Sequence, residues 1–170
     1  FDLSEPWLVR KLTGMPKREL VAVDAVSFEI PRGQTYALVG ESGSGKSTIA
    51  RMVVGLMQPD AGGVTIDGHN LNTSQDSASL RVVRQTLQMV FQSPYSSLNP
   101  RWRVNDILLE PIRAFDLISD EADQYRRVRE LLDQVGLSAS DAAKYPHEFS
   151  GGQRQRISIA RGLASNPSFM

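Results

Sequence analysis

The chain has 170 residues, 41% of them hydrophobic and 22% charged, which is the composition of an ordinary globular domain. Its 19 Lys and Arg residues balance its 19 Asp and Glu residues, and the zero net charge argues against a nucleic-acid binder held by bulk basicity. Without cysteine, and without an apolar run of transmembrane length, these residues contain no disulfide, zinc–thiolate site, cysteine nucleophile or membrane span.

The first part of the chain predicts two strands and a helix. Alternation of apolar and polar residues over 26–30 predicts a half-buried strand, and 31–33 reads as a turn. The apolar run 36–39 predicts a strand covered on both faces. Apolar residues at helical spacing over 49–56 predict an amphipathic helix. The glycine-rich segment 40–45 therefore falls between a strand and a helix.

The rest of the chain is mostly helical by pattern. The predicted elements are, in order, a strand 64–66 with a tight turn at Asp67-Gly68, a helix 80–84, a buried strand 87–91, a loop 94–100, and helices 104–115, 121–135 and 150–164. The stretch 139–148 is ambiguous. Strand-then-helix order with apolar strands favours an α/β fold built on a parallel sheet. The helix-rich stretch from about 95 to 150 is expected to be an insertion with its own small core.

Residues 40–47 fit the phosphate-binding pattern G-x-x-x-x-G-K-[ST]. Glycines let the backbone curl so that its N–H groups point at phosphate oxygens, and the following helix adds its positive end. Lys46 can reach the β- and γ-phosphates, and the Ser47 hydroxyl can join the coordination of Mg²⁺. The alternative is a glycine-rich turn that matches by chance, but the predicted strand before it and helix after it favour phosphate binding. The predicted binding residues are Gly40, Glu41, Ser42, Gly43, Ser44, Gly45, Lys46, Ser47 and Thr48.

A second glycine-rich helix start lies at Ser150. Ser150 and Gln153 form the S-x-x-Q capping box, which by itself indicates only a well-capped helix. Gly151 and Gly152 are poor helix formers that capping does not require, so they suggest close approach of a negative group. The run Phe149 to Gln153 resembles the signature motif of the ABC ATPases, usually Leu-Ser-Gly-Gly-Gln, with Phe149 in place of Leu.

The segment after the predicted strand 87–91 extends this resemblance. Val90-Phe91-Gln92 is similar to the Q-loop of the family, which implies that Gln92 contacts Mg²⁺ and the attacking water. The run Ser93 to Arg101 resembles the ATPases of oligopeptide and dipeptide importers, and Glu110-Pro111-Ile112 agrees with that subgroup. The resemblance covers the chain from about Val21 onward. It implies that Lys46 and Gln92 are catalytic, that Ser47 and Gln92 bind the metal, and that Ser150, Gly151, Gly152 and Gln153 bind nucleotide.

The resemblance also implies a fold and partners. We expect a P-loop NTPase core (about 1–94 and the chain end) with a parallel sheet, an antiparallel β N-terminal part, and a helical insertion (about 95–150) that leads into the signature motif. ATP and Mg²⁺ are the implied cofactors. The implied partners are a second ABC ATPase domain, identical or different, transmembrane permease subunits and indirectly a solute-binding protein, with no nucleic acid. The implied function is to power import of peptides, or of a related solute such as glutathione or nickel, from the cytoplasmic face of the bacterial inner membrane.

The family also needs an Asp at the end of a strand, a following Glu and a later His, and this sequence has none of them after Phe169, where that strand should begin. We therefore expect an ABC ATPase domain incomplete at its C-terminus, whose 170 residues alone hydrolyse ATP poorly. The alternatives are a soluble ABC ATPase of repair or translation, and a nucleotide-binding fragment that does not hydrolyse.

Several side chains have a role that the sequence leaves open. The family's adenine-stacking position falls near Lys17 and Arg18, which are not aromatic. Of the other aromatic residues, Tyr36 belongs to a predicted buried strand and Trp7 is distant in sequence, so neither is assigned. For Arg154 and for Arg156, structural pairing and help at the nucleotide are equally plausible. His147 and His69 are not expected to be catalytic, and Arg126, Arg127 and Arg129 are expected to form an exposed helix face.

Overall fold

A computed structural model describes residues 21–71 and 77–170. The chain forms two compact units, one ending at Gly62 and the other beginning at Gly63. Each unit is organised around different elements. The glycine-rich loop and one helix belong to the first unit, and a small sheet and a helical core belong to the second.

Among the described residues of the first unit, the regular element is helix α1, Lys46–Val53. It begins after Gly45, whose φ of 89° is left-handed, and stops before Gly55, which has a φ of 71°. A left-handed glycine beyond the last turn is a common helix stop. The helix is therefore shorter than the predicted apolar repeat, and Leu56 lies beyond it with 59% of its surface exposed.

The strands predicted at 26–30 and 36–39 are not formed in the described part of the first unit. Val39 is 94% exposed instead of buried, while the rings of Phe28 and Tyr36 stack 5.0 Å apart. Alternation and apolar character specify which faces a strand would bury. They supply no hydrogen-bonding neighbour, and a strand exists only when one pairs with it. Among the described residues no backbone takes that place.

The second unit opens with a two-stranded antiparallel hairpin, β1 (Thr65–Ile66) and β2 (His69–Asn70). Its turn residues Asp67 and Gly68 both have positive φ, 48° and 80°, as a tight hairpin of right-handed twist requires. This confirms the predicted strand and turn. The buried strand predicted at 87–91 is reduced to a parallel bridge between Leu87 and Phe169, in which Gln88 N donates to Phe169 O at 3.1 Å.

Helices make up most of the second unit. They are α2 (Ser77–Thr86), α3 (Pro94–Ser97), α4 (Val104–Ala114), α5 (Glu121–Gln134), two short 3₁₀ helices (Ala139–Ala143 and Pro146–Glu148) and α6 (Gly151–Leu163). The last three α-helices lie where the sequence predicts them, because their apolar periods and end signals are local. The ambiguous stretch 139–148 consists of the two 3₁₀ helices, and one helical turn interrupts the predicted loop 94–100. No helix in the described ranges has both the length and the apolar character needed to cross a bilayer.

One hydrophobic core joins α4, α5 and α6. Its fully buried members include Ile107, Leu108, Ile112, Leu131, Leu132 and Ile157. The end of α5 is tied to α6, since Arg156 donates to the carbonyl oxygen of Val135 at 3.2 Å, next to the left-handed Gly136. This core packs α6 against α4 and α5.

Candidate functional site

The loop Gly40–Gly45 leads directly into the N-terminus of α1. The first N–H groups of an α-helix have no partner within the helix, and no described side chain caps those of α1. The bond from Ile49 N to Gly45 O, 2.9 Å long, shows that the helix is regular from its first turn. Uncapped N–H groups and the positive end of the helix dipole together favour an anion at this point.

Lys46 folds back over this loop. Its Nζ donates to the carbonyl oxygens of Gly40 at 2.8 Å and Glu41 at 2.5 Å, and to Ser44 Oγ at 3.2 Å. The ammonium group is thus held at the loop by neutral acceptors. Phosphate oxygens are charged acceptors and form stronger hydrogen bonds with an ammonium group. The arrangement fits a phosphate group, which would compete for Lys46.

The glycines of the loop differ in what surrounds them. A Cβ at Gly45 would overlap the carbonyl oxygen of Ala22, and the residue also has a left-handed φ. Gly43 has a φ of 85°, but a Cβ added there would meet nothing within 4 Å. At Gly40 a Cβ would lie 2.8 Å from Ser44 Oγ, a flexible neighbour. Close packing therefore requires glycine only at Gly45.

The N-terminus of α6 carries the second predicted group. The capping box is formed in both directions: Gln153 N donates to Ser150 Oγ at 3.3 Å, and Ser150 N donates to Gln153 Oε1 at 2.9 Å. Gly151 and Gly152 are exposed, and a Cβ on either would meet nothing within 4 Å. Packing against the described residues therefore requires glycine at neither position. Phe149, the departure from the usual motif, is buried in the core at 5% exposure.

The two arginines whose roles the sequence leaves open, Arg154 and Arg156, both make structural hydrogen bonds. Arg154 donates to the carbonyl oxygen of Phe149 at 2.5 Å, and Arg156 donates to that of Val135 at 3.2 Å. The guanidinium of Arg154 therefore binds the turn before α6, and that of Arg156 binds the end of α5. The sequence did not reveal this, because the acceptors are carbonyl groups and any residue carries one.

The remaining predicted positions are simple to place. Gln92 is exposed in the segment between the Leu87 bridge and α3. His147 stacks on Tyr145 with ring centroids 5.6 Å apart, and His69 is exposed in β2. Tyr36 stacks on Phe28, while Trp7, Lys17 and Arg18 lie outside the described residues. Base recognition stays a prediction.

The Ser47 hydroxyl and the Gln92 amide oxygen are hard donors of the kind that Mg²⁺ accepts. Across the described ranges, no group of three or more His, Asp or Glu side chains could hold a metal ion. The two predicted ligands belong to different units, Ser47 to the first and Gln92 to the second. Their shared role stays a prediction.

A lysine-bearing glycine loop that opens a helix, followed in the chain by a helical unit with a second open glycine pair, is the arrangement expected of a P-loop cassette. A family model described as ABC transporter matches residues 23–170, so the chain belongs to that family.

Curated relatives of this chain carry names that agree with this family. A putative oligopeptide transport ATP-binding protein of Bacillus subtilis, YkfD, is 49% identical over 154 residues, covering 91% of this chain and 46% of that protein. The oligopeptide transport ATP-binding protein OppF of the same organism is 46% identical over 155 residues, 91% of this chain and 51% of that protein. The chain spans about half the length of these curated relatives.

Solved structures show the same fold. The ATP-binding cassette MJ0796, a dimer bound to ADP and Pi in a post-hydrolysis state, matches with a TM-score of 0.76 at 31% identity over 86% of this chain and 62% of that one. The cbiO1 protein of Clostridium perfringens matches with a TM-score of 0.72 at 26% identity, over 86% of this chain and 56% of that one. The fold class is therefore the α/β fold of P-loop NTPases, as predicted, although the described residues form only a hairpin and one parallel bridge of its β-structure.

Proposed function

We propose that this chain is the ATP-binding part of a subunit that powers import of peptides, or of a related small solute, by binding and hydrolysing ATP. The relatives named above are oligopeptide transport ATP-binding proteins, and the similarity extends over about nine-tenths of this chain. The observation that carries the proposal is the glycine loop with Lys46 held over it at the uncapped start of α1.

In this proposal the residues from Gly40 to Thr48 hold the phosphates of one ATP. Lys46 exchanges its carbonyl partners for β- and γ-phosphate oxygens, and the N–H groups of the first turn of α1 donate to the same phosphates. Ser47 would offer its hydroxyl, and Gln92 its amide oxygen, to Mg²⁺, which when bound would supply positive charge to the phosphates. Gln92 also orients the attacking water. Positioning and electrostatic stabilisation account for the chemistry, because phosphoryl transfer needs little else from a protein.

The residues Ser150 to Gln153 serve a second ATPase domain in the proposed assembly. Two such domains pair head to tail, and the open glycines of one close over the γ-phosphate bound to the other. Two features support this: no described neighbour fills the space at Gly151 and Gly152, and MJ0796 is a dimer. Hydrolysis at full rate also needs an acidic group that polarises the attacking water and a switch histidine. None of the motifs identified in this sequence is assigned either role.

The proposed partners in the membrane are permease subunits, gripped by the segment after Gln92 and by the helical subdomain of about 95–150. The remainder, about 1–94 with the chain end, forms the nucleotide-binding core. The subunit would then work at the cytoplasmic face of the bacterial inner membrane, where it is attached through those partners. A solute-binding protein and the permease select the solute, so this chain does not distinguish peptides from glutathione or nickel.

The test is a complementation experiment with the full-length protein. Cells that lack its gene receive either the wild type or Lys46→Ala, with Arg126→Ala as a matched loss of positive charge on an exposed helix face. Uptake of labelled peptide, glutathione and nickel is measured together with ATPase activity of the purified protein. We expect the wild type and Arg126→Ala, but not Lys46→Ala, to restore uptake of peptide or of one of the other two solutes. Restored uptake with Lys46→Ala, or an ATPase rate of Lys46→Ala equal to that of the wild type, contradicts the proposal.

A further inference from the structure

We propose that Arg154 and Tyr95 are a positioning pair that holds the signature loop at the start of α6 in its working shape; this inference rests on the proposed ATPase function. Arg154 touches the loop from behind, and Tyr95 lies on the segment that follows Gln92. The pair therefore links the two predicted nucleotide-contacting segments of the second unit. Neither residue contacts nucleotide in this proposal.

The first observation is where the guanidinium of Arg154 points. Its Nη1 donates to the carbonyl oxygen of Phe149 at 2.5 Å and reaches that of Pro146 at 3.5 Å. These carbonyl groups belong to the turn immediately before Ser150. A charged donor on Phe149 O fixes the peptide that leads into the capping box, and so fixes the direction in which the N–H groups of Gly151 and Gly152 point.

The second observation is how Arg154 itself is held. Its Cζ lies 5.3 Å from the centre of the Tyr95 ring, within the range of a cation–π contact. Its Nε is buried and finds no acceptor among the described residues. An arginine that served only as a solvated surface charge would extend into water and satisfy every donor. Arg154 instead lies between the Tyr95 ring and the turn before Ser150.

The third observation is how the short helix that carries Tyr95 is attached, although Tyr95 itself is 73% exposed. It lies in α3, and the last residue of that helix, Ser97, is bonded twice to α6: its hydroxyl lies 3.2 Å from Ser158 Oγ, and its carbonyl accepts from Arg161 at 2.7 Å. Arg154, Ser158 and Arg161 share one face of α6, since they are spaced by four and three residues. The segment after Gln92 is therefore attached to α6. Tyr95, in this segment, contacts Arg154, which binds the turn before the start of α6.

This arrangement predicts which kinetic constant changes. In the proposed mechanism ATP binds first at the Lys46 loop, and the signature loop engages only when two domains close. A pair that shapes the signature loop then affects kcat and leaves KM for ATP nearly unchanged. If loss of Arg154 instead weakened the first step, ATP binding at the Lys46 loop, KM would rise, and the pair would not act through the signature loop.

The experiment measures kcat and KM for ATP in the full-length protein, with Tyr95→Ala, Tyr95→Phe, Arg154→Ala and the double variant Tyr95→Ala/Arg154→Ala. We expect Tyr95→Ala to lower kcat by about two- to fivefold, the size of an exposed cation–π contact, with KM unchanged. Tyr95→Phe keeps the ring and should retain the wild-type rate. The double variant should be no slower than Arg154→Ala, because the tyrosine has nothing left to hold.

Thermal unfolding of each variant separates positioning from folding, and Tyr95→Ala carries the test if Arg154→Ala does not fold. Additive losses in the double variant, a wild-type rate in Tyr95→Ala or a raised KM would each overturn the inference. Lys46→Ala serves as the reference for the proposed function. If the wild type has no ATPase activity, the proposed function is wrong. If the wild type is active, Lys46→Ala abolishes that activity and Tyr95→Ala leaves it unchanged, only the positioning pair is wrong.

Discussion

The guanidinium of Arg161 donates to the backbone carbonyl oxygen of Ser97 at 2.7 Å, across 64 residues of chain. The bond is partly buried and meets α3 at its last residue. A helix of four residues is far too short to be stable alone. Its place is therefore set by contacts with α6, of which this bond and the Ser97–Ser158 hydroxyl contact are the polar part.

This relationship predicts that Arg161→Ala lowers the free energy of unfolding by about 1.5 to 3 kcal/mol, the usual loss for a hydrogen bond from a charged group. Arg126→Ala is the matched control: its ion pair with Asp123 is exposed, and we expect a change within about 0.5 kcal/mol. Urea denaturation of the full-length variants gives both values. Equal losses in the two variants would show that the Ser97 bond is not stabilising.

Two glycines of the phosphate loop should respond differently to alanine. Gly45→Ala introduces both a left-handed φ and an overlap with the Ala22 carbonyl oxygen, so we expect the loop to rearrange and ATP binding to fall at least about tenfold. Gly43→Ala introduces only the left-handed conformation, at a cost of about 1 to 2 kcal/mol. Titration with a fluorescent ATP analogue compares them. Indistinguishable affinities would contradict the close approach at Gly45.

The signature glycines should separate stability from activity. Gly151→Ala and Gly152→Ala place a methyl group where no described atom lies within 4 Å, in a helical conformation that alanine favours. We expect the free energy of unfolding to stay equal or to rise by up to about 1 kcal/mol, while ATPase activity falls severalfold because the methyl group blocks the approach. Ser150→Ala is the comparison, since losing the cap costs about 1 kcal/mol. Full activity in both glycine variants would remove the reason for an open glycine pair.

Asp141 should make stability depend on pH in the acid range. Its carboxylate accepts from Lys144 Nζ at 2.7 Å and from Ser138 N at 2.9 Å, and the bond to Lys144 is the main cause that holds its pKa below 3.8. A pKa that is lower in the folded state stabilises the fold above the unfolded value, and this stabilisation is lost as the pH falls through the folded pKa. The same bond raises the pKa of Lys144, so its contribution is lost only as the pH rises above 10.5.

Asp141→Asn tests this. We expect the variant to be less stable than wild type by about 1 kcal/mol at neutral pH, with the difference shrinking below about pH 4 as the wild-type carboxylate is protonated. Urea denaturation at neutral and acid pH measures the difference. A gap that stays constant down to the acid limit would mean that charge on Asp141 contributes nothing.

Much of the candidate site was predictable because its chemistry is local. The loop from Gly40 to Ser47 works through the order of its own glycines, lysine and serine, and the capping box at Ser150 joins residues three apart. The helices over 104–114, 121–134 and 151–163 were predictable for the same reason, since their apolar spacing and end residues lie within each segment.

What the local pattern could not predict is pairing between distant segments. The runs 26–30 and 36–39 carry strand-like patterns, but no described segment hydrogen-bonds to them as a sheet neighbour, and the strand expected at 87–91 is one bridge from Leu87 to Phe169. The contact between Arg154 and the Tyr95 ring follows no sequence pattern, because the two residues are far apart in the chain and neither residue type specifies its partner.

For this protein, then, the amino-acid sequence by itself determined the glycine-and-lysine loop motif before α1, the capped glycine helix start at Ser150, and the bounds of α4, α5 and α6 to within one residue. These depend on hydrogen bonds and dihedral angles between near neighbours in the chain. The tertiary structure alone decided which backbones pair, that Arg154 and Arg156 bind carbonyl groups behind α6, and that Gly151 and Gly152 face open space. Those outcomes depend on which distant atoms come within a few ångströms of each other, and residue spacing along the chain does not specify that distance.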